Sequence, residues 1–163
     1  MTKIKHITLL AIGILMLSVS AFAQSTDPDA PTPITDGVTT GSSRGNLHDD
    51  KTYYFTINVK PGVLTLTADL TPVKGTGGGT LRWHYLDTKF RQIKWDQMSA
   101  SGSPERRVND TKVLARRKVI LKVVVGGNVY YKISLSGTSY YAREFSKGSS
   151  LIKKRHRNSA FFV

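Results

Sequence analysis

The sequence predicts an all-β fold, a sandwich or barrel of short antiparallel strands. Three observations support this prediction. From Lys51 onward apolar residues alternate with polar ones, which is the pattern of half-buried strands. Glycine- and proline-containing turns interrupt the alternation at intervals of about ten residues. After residue 23 no window shows the apolar stripe of a helix.

Two strands are predicted on either side of a turn at Lys60-Pro61-Gly62, where proline presets φ and glycine accepts a positive φ. Every second side chain is apolar in residues 53–59 and again in residues 64–70. The side chains expected to face the core are Tyr53, Phe55, Ile57, Val59, Leu64, Leu66, Ala68 and Leu70.

The middle of the chain is predicted to hold two further strands. A flexible glycine-rich loop at residues 75–79 precedes a strand whose apolar face carries Leu81, Trp83 and Tyr85. A turn at residues 87–89 leads into a strand at residues 90–95, and a polar loop is expected from Asp96 to Glu105.

The last two strands, residues 119–125 and 129–135, are predicted to form a hairpin through Gly126-Gly127-Asn128. A three-residue loop pairs Val123 with Tyr131 and keeps both apolar sets on one face. In that register Lys122 and Lys132 lie opposite each other on the outer face, where like charges repel. The run of three valines at 123–125 suits a central strand that is covered on both faces.

Residues 1–23 have the features of a secretory signal peptide. Lys3 and Lys5 precede a largely apolar run at residues 7–17, and Ala21-Phe22-Ala23 supplies a small-x-small cleavage site before Gln24. The run is shorter than the roughly 20 residues of a membrane-spanning helix. We therefore expect a secreted protein, extracellular or periplasmic, whose mature chain begins at Gln24; an uncleaved membrane anchor is the alternative.

Composition divides the rest of the chain into three parts. Residues 24–45 are rich in Pro, Thr, Ser, Asp and Gly and are expected to form a linker or a loosely draped arm. Residues 46–142 are the predicted β-sandwich domain, and residues 143–163 form a basic tail. Since the chain has no cysteine, a disulfide or a thiolate metal site is excluded, and packing alone must hold the domain together.

The net charge of +13 favours an anionic partner, such as acidic polysaccharide, lipid headgroups or extracellular nucleic acid. A protein that is merely basic and soluble is the alternative. Bases that alternate with aromatic residues on a sheet face suit sugar rings or single-stranded nucleic acid. The candidate binding residues on strands are Arg82, His84, Lys122, Tyr130 and Lys132, with Lys94 and Tyr54 on related outward positions.

In the tail, Lys153, Lys154 and Arg155 precede Phe161-Phe162-Val163, and this segment could contact an anionic membrane or could be disordered.

The sequence predicts no catalytic residue, no metal ligand and no cofactor. Nucleophile-elbow, zinc-helix and phosphate-loop motifs are missing, and the histidines after residue 23 (His48, His84 and His156) have no spacing that would gather them on a metal. The acidic residues Asp36, Asp49 and Asp50 could hold Ca²⁺, but a solvated acidic turn is the favoured interpretation.

The region from Ile34 to Leu135 resembles the bacterial pre-peptidase C-terminal domain. The residues that carry this resemblance are Pro33, Ile34 and Gly37, the Asp49-Asp50 pair, the strand Tyr53–Ile57, the turn at Gly62, Leu64 and Leu66, and the strand Val129–Ile133. The resemblance implies an antiparallel, jelly-roll-like β-sandwich with a non-catalytic accessory or adhesion role in an exported protein. We therefore expect such a module at the cell envelope, with anionic polysaccharide, an envelope surface or another exported protein as partner. An electrostatic binder of anionic polymers or lipid headgroups, and a hydrolase whose site is assembled from distant loops, are the alternatives.

Overall fold

The computed structural model describes residues 24–141, which form nine β-strands and no helix. The strands are β1 (Thr32–Pro33), β2 (Val38–Ser43), β3 (Lys51–Val59), β4 (Gly62–Pro72), β5 (Gly79–Leu86), β6 (Gln92–Ala100), β7 (Glu105–Val113), β8 (Arg117–Gly127) and β9 (Val129–Ser136). The predicted signal peptide (residues 1–23) lies outside the described residues, as does the tail from residue 143 onward with Lys153, Lys154 and Arg155.

The strands form a five-stranded sheet in the order β1-β3-β8-β5-β6 and a four-stranded sheet in the order β2-β9-β4-β7. All pairings are antiparallel except that of β1 with β3. The inward faces of the two sheets share one apolar core. The prediction of an all-β sandwich is thus confirmed.

The core contains the side chains that the alternation placed there. Phe55 of β3, Trp83 of β5 and Leu121 of β8 come from the five-stranded sheet, and Leu66 of β4 and Tyr131 of β9 come from the four-stranded sheet. All five are buried, as predicted, and Trp83 is fully enclosed. In central strand β8 the outward-facing Val124 is buried, as are its inward-facing neighbours Val123 and Val125; this confirms the prediction for the valine run.

The predicted hairpin between the last two strands is wrong. Strand β8 pairs with β3 on one side and β5 on the other, so neither of its edges is free for β9. The chain instead crosses to the other sheet, where β9 pairs with β2 and β4. Gly127, with φ of +82°, makes this crossing possible beside the backbone of Gly78. The alternation of apolar and polar residues cannot distinguish a β8–β9 hairpin from this crossing, because the apolar side chains of both strands face the core in either arrangement.

The crossing also corrects the predicted pair of lysines. Lys122 of β8 lies on the outer face of the five-stranded sheet, between Tyr54 and His84. Lys132 of β9 lies on the outer face of the four-stranded sheet, between Thr40 and Asp69. The two ammonium groups therefore point to opposite sides of the sandwich and do not repel each other as a cross-strand pair.

Residues 24–45 differ from the expected linker, because two strands lie within them. β1 pairs with β3 and β2 pairs with β9, so this segment joins an edge of each sheet. β2 consists of Val, Thr, Gly and Ser, and an edge strand of this kind lacks the apolar alternation that reveals a strand. A Cβ atom at Gly41 would lie 2.7 Å from the ring of Tyr131, so a residue larger than glycine would clash with that ring.

The expected polar loop at residues 96–105 is also wrong. β6 continues to Ala100, and after a short bend the chain enters β7, a strand that the sequence did not reveal. Both strands lie at sheet edges on the same side of the sandwich, and several of their inward positions carry polar or charged side chains. Inward charges protect an exposed sheet edge from pairing with another chain, and they hide the strand from an apolar pattern.

The burial of Trp83 predicts a large cost for its removal. Trp83→Ala should lower the free energy of unfolding by about 3–5 kcal/mol, because it leaves a large cavity in the core. The matched control is Trp95→Ala, since Trp95 is 49% exposed and its loss should cost less than about 1 kcal/mol. Denaturant unfolding of both variants measures the difference, and equal losses would contradict the packing described here.

Candidate binding site on the outer sheet face

Four side chains form a line across the outer face of the five-stranded sheet. Tyr54 of β3 is the register partner of Lys122 of β8, Lys122 is the partner of His84 of β5, and His84 is the partner of Trp95 of β6. Neighbouring strands lie about 4.8 Å apart, so the line extends over roughly 14 Å. We call Tyr54, Lys122, His84 and Trp95 the aromatic row.

The ring surfaces of the row are held in place. The imidazole of His84 stacks on the indole of Trp95, with ring centroids 6.1 Å apart and an interplanar angle of 19°. Nδ1 of His84 donates a hydrogen bond to Oε1 of Gln92 (2.8 Å), which fixes the orientation of the ring. Half of Trp95 is exposed although its rotation is restricted by this stack. The row therefore presents a flat, preorganised apolar surface to solvent.

Charges beside the row are unevenly compensated. Arg82, two residues before His84 on β5, forms an ion pair with Asp50. Within residues 24–141, in contrast, no carboxylate forms an ion pair with Lys122. The ammonium group in the middle of the row is thus available to a negatively charged or hydroxyl-bearing ligand.

A cleft of about 730 Å³ adjoins the row at the free edge of β6. Trp95 lines it, as do the outward polar side chains of Thr80, Gln97 and Ser99. On the far side the cleft is bounded by the first residues of β7, among them Arg107. It therefore continues the ring surface of the row into a region of hydroxyl, amide and guanidinium donors.

A polar network behind this cleft joins the two sheets. Nζ of Lys94 on β6 donates to Oδ1 of Asn109 (2.8 Å), to the carbonyl of Asp110 (2.9 Å) and to Oγ1 of Thr111 (3.1 Å), all on β7. Two residues further along β6, Asp96 accepts hydrogen bonds from Arg107 and from Asn109, so Asn109 links Asp96 to Lys94. Lys94 was expected to point outward; its ammonium group instead bridges the open side of the sandwich.

The other predicted binding residues lie elsewhere. Tyr130 and Lys132 line a second, smaller cleft of about 390 Å³ on the outer face of the four-stranded sheet. There the Tyr130 hydroxyl accepts a hydrogen bond from Arg44 (3.1 Å). The structure thus brings Arg82, His84 and Lys122 together and separates them from Tyr130 and Lys132. Trp95 was not singled out from the sequence, because the register that places it beside His84 depends on the pairing of β5 with β6.

No group of three or more His, Asp or Glu side chains in residues 24–141 is positioned to hold a metal ion. Asp36, Asp49 and Asp50, weighed as calcium ligands, are not such a group. Among the same residues, no helix has the length and apolar character needed to cross a bilayer.

Comparison with known proteins finds similarity in solved structures alone. No protein-family model matches the chain, and no curated protein matches it in sequence. A CBM4 structure is 8% identical over 65% of this chain and 73% of its own, with a TM-score of 0.45. The pre-peptidase C-terminal domain of a collagenase from Bacillus anthracis is 20% identical over 69% of this chain and all of its own, with a TM-score of 0.43. An arabinose-bound α-L-arabinofuranosidase is 14% identical over 71% of this chain and 22% of its own, with a TM-score of 0.38.

A pre-peptidase C-terminal domain is therefore among the structures similar to this chain, as the resemblance in sequence suggested. At this identity the similarity concerns the fold. Membership of that family stays a prediction.

The position of Lys94 can be tested by its effect on stability. Lys94→Met should lower the free energy of unfolding by about 1–3 kcal/mol, because three acceptors on β7 lose their donor. Lys122→Met is the matched control and should change it by less than about 0.5 kcal/mol. Thermal or denaturant unfolding reports both values. Identical stability of the two variants would show that Lys94 does not join the sheets.

Proposed function

We propose that the chain is an exported, non-catalytic module that binds polysaccharide and serves as an accessory or adhesion component at the cell envelope. The signal-peptide features of residues 1–23 support the proposed export. The aromatic row supports the proposed binding, because its rings and its ammonium group lie in register on one exposed sheet face. The row is the single observation that carries the proposal.

The chemistry of the row suits a sugar chain. A sugar ring has an apolar C–H face that stacks on an aromatic side chain, and hydroxyl groups at its rim that accept and donate hydrogen bonds. Trp95 and Tyr54 offer ring surfaces near the two ends of the row, and Thr80, Gln97 and Ser99 offer hydroxyl and amide groups in the adjoining cleft. A chain of linked sugars could contact both ring surfaces at once.

Contact rather than proton transfer is the chemistry that this surface favours. Glu105 lines the far side of the cleft, and of the other two nearby carboxylates Asp50 pairs with Arg82 and Asp96 pairs with Arg107. Such pairs orient side chains and hold the strands together. We therefore propose that the module binds its polymer without cleaving it.

Single-stranded nucleic acid fits the row less well. Proteins that bind it follow the phosphate backbone with a line of cations and stack successive bases on aromatic rings. The row has rings at both ends but a single uncompensated cation, Lys122, between them. A polymer with few charges per unit length matches this spacing better than one with a phosphate at every step.

Removal of the exposed indole tests the proposed site. Trp95→Ala should weaken binding to the recognised polysaccharide about tenfold, because aromatic stacking contributes on the order of 1 kcal/mol or more. Tyr130→Ala is the matched control, since Tyr130 is 46% exposed on the opposite sheet. Affinity electrophoresis against a panel of neutral and acidic polysaccharides measures both variants. Loss of binding in Tyr130→Ala alone would place the site on the four-stranded sheet, and binding of no member of the panel by the parent chain would contradict the function.

A second candidate, which Lys122 favours, is a binder of anionic polymers. In that case Lys122→Met should weaken binding to an acidic polysaccharide and lessen its dependence on salt, whereas Lys132→Met should change neither. Lys132 is the control because it lies on the outer face of the opposite sheet, away from the aromatic row. Titrations at low and physiological salt measure the effect. Equal behaviour of both variants would indicate a neutral ligand or a non-specific effect of net charge.

A further inference from the structure

One end of the sandwich gathers several loops. Val59 at the end of β3 pairs with Arg117 at the start of β8, and Leu86 at the end of β5 pairs with Ile120. In the other sheet, the end of β7 pairs with the start of β4. The connections β3–β4 (residues 60–61), β5–β6 (87–91) and β7–β8 (114–116), together with residues 34–37 and 137–141, therefore lie at the same end. We call it the basic end.

The charge of this end is strongly positive. Its loops and the adjoining strand ends carry seven bases against two acids, Asp36 and Asp87. The bases are Lys60, Lys89, Arg91, Lys112, Arg116, Arg117 and Lys118. At the opposite end, the loops and adjoining positions carry Arg44, Lys51, Lys74 and Arg106 against Asp49, Asp50 and Glu105. The positive field of the described chain is thus concentrated at one end rather than spread evenly.

Two large apolar side chains project from separate loops of the basic end. Leu114, between β7 and β8, is 77% exposed, and Phe90, between β5 and β6, is 41% exposed. Phe90 has φ of +60° and is the single non-glycine residue with a positive φ in residues 24–141. This conformation costs energy for a residue other than glycine, and such strain is often associated with a functional position.

The strained turn around Phe90 is held by one carboxylate. Oδ1 of Asp87 accepts hydrogen bonds from the backbone amides of Lys89 (2.8 Å) and Arg91 (2.9 Å), and Oδ2 accepts one from the Arg91 guanidinium (2.7 Å). The amide of Phe90 also donates to the carbonyl of Asp87 (3.0 Å). These contacts lower the pKa of Asp87, with the backbone of Arg91 as the main cause. The turn is therefore fixed in a conformation that presents an aromatic ring to solvent.

We propose that the basic end docks on an anionic lipid bilayer. Leu114 and Phe90 enter the boundary between headgroups and acyl chains, and the surrounding lysines and arginines lie among the anionic headgroups. A soluble polyanion would pair with the bases but would offer no apolar phase to the two exposed side chains. The docking surface is separate from the aromatic row, so the inference does not depend on the proposed polysaccharide site.

Residues beyond Tyr141 start from the same end. Tyr141, the last described residue, contacts Arg116 of the β7–β8 loop, whose guanidinium lies 5.3 Å from the centroid of the Tyr141 ring. The 22 residues that follow carry six bases and one acid. Wherever they lie, their connection to the domain is at the docking surface, and their net charge favours the same anionic partner.

The experiment compares variants of the full chain in co-sedimentation with vesicles of phosphatidylglycerol and phosphatidylcholine, and with vesicles of phosphatidylcholine alone. The parent should bind the anionic vesicles and not the zwitterionic ones. Phe90→Asn with Leu114→Ser should lower the partition coefficient about tenfold or more. Asparagine is chosen because it tolerates a positive φ. Val108→Ser is the matched control, since Val108 is exposed on β7 away from this end, and it should bind as the parent does.

Charge is tested by a pair of variants with equal net charge. Lys60→Gln with Lys118→Gln neutralises two bases of the basic end and should weaken vesicle binding by roughly thirtyfold at low salt. Lys74→Gln with Lys132→Gln neutralises two bases elsewhere and should have a much smaller effect. Unchanged thermal melting of all four variants excludes unfolding as the cause.

Two results would overturn the proposal. The first is equal loss of binding in both charge variants, which would show that net charge rather than the basic end is recognised. The second is vesicle binding that persists in the Phe90 and Leu114 variant while soluble heparin competes for it, which would show an electrostatic interaction with polyanions in general. The polysaccharide panel remains informative in both cases, because Trp95 is intact in every one of these variants.

Discussion

The hydrogen-bonded register of β8 between β3 and β5 is the constraint on which the rest of this structure depends. Both edges of β8 are occupied and its inward side chains are buried in the core, so the strand can neither shift nor accept β9 as a neighbour. A shift by one residue would exchange Val123 with Lys122 and put an ammonium group into the core. The same register therefore fixes the core, the crossing of the chain to the second sheet, and the position of Lys122 between Tyr54 and His84.

The strands that line the core could be predicted from the sequence, whereas their neighbours in the sheet could not. Alternation identified the inward faces around Phe55, Leu66 and Trp83, because burial against a common core requires an apolar side chain at every second position. It did not reveal β2 or β7, whose positions at sheet edges demand few apolar residues. Alternation also favoured a hairpin for β8 and β9. Two strands that face each other across the core of a sandwich show the same alternation as two neighbouring strands of one sheet.

Because alternation reveals the faces of a strand but not its neighbours, the sequence could predict part of the candidate site. Arg82, His84 and Lys122 lie on outward positions of core strands, so their exposure followed from the alternation of their neighbours. Their contact with Trp95 depends on the pairing of β5 with β6, which is a property of the tertiary fold. Tyr130 and Lys132 have the same residue types and the same alternation, yet they lie on the opposite sheet. Residue type can suggest binding chemistry, but the strand order decides which residues act together.

The orientation of the two proposed surfaces connects them. The aromatic row runs across the strands, whereas the strands themselves run toward the basic end. From Lys122 to Arg117 the chain advances five residues along β8, which corresponds to about 17 Å at 3.3–3.4 Å per residue. A bilayer that contacts the basic end would consequently lie parallel to the row and below it. A polymer bound along the row would then extend alongside the membrane, and neither ligand would obstruct the other. The turn that presents the Phe90 ring lies outside the row: the register of β5 with β6 shifts between Tyr85 and Leu86, next to the turn, whereas His84 and Trp95 remain paired.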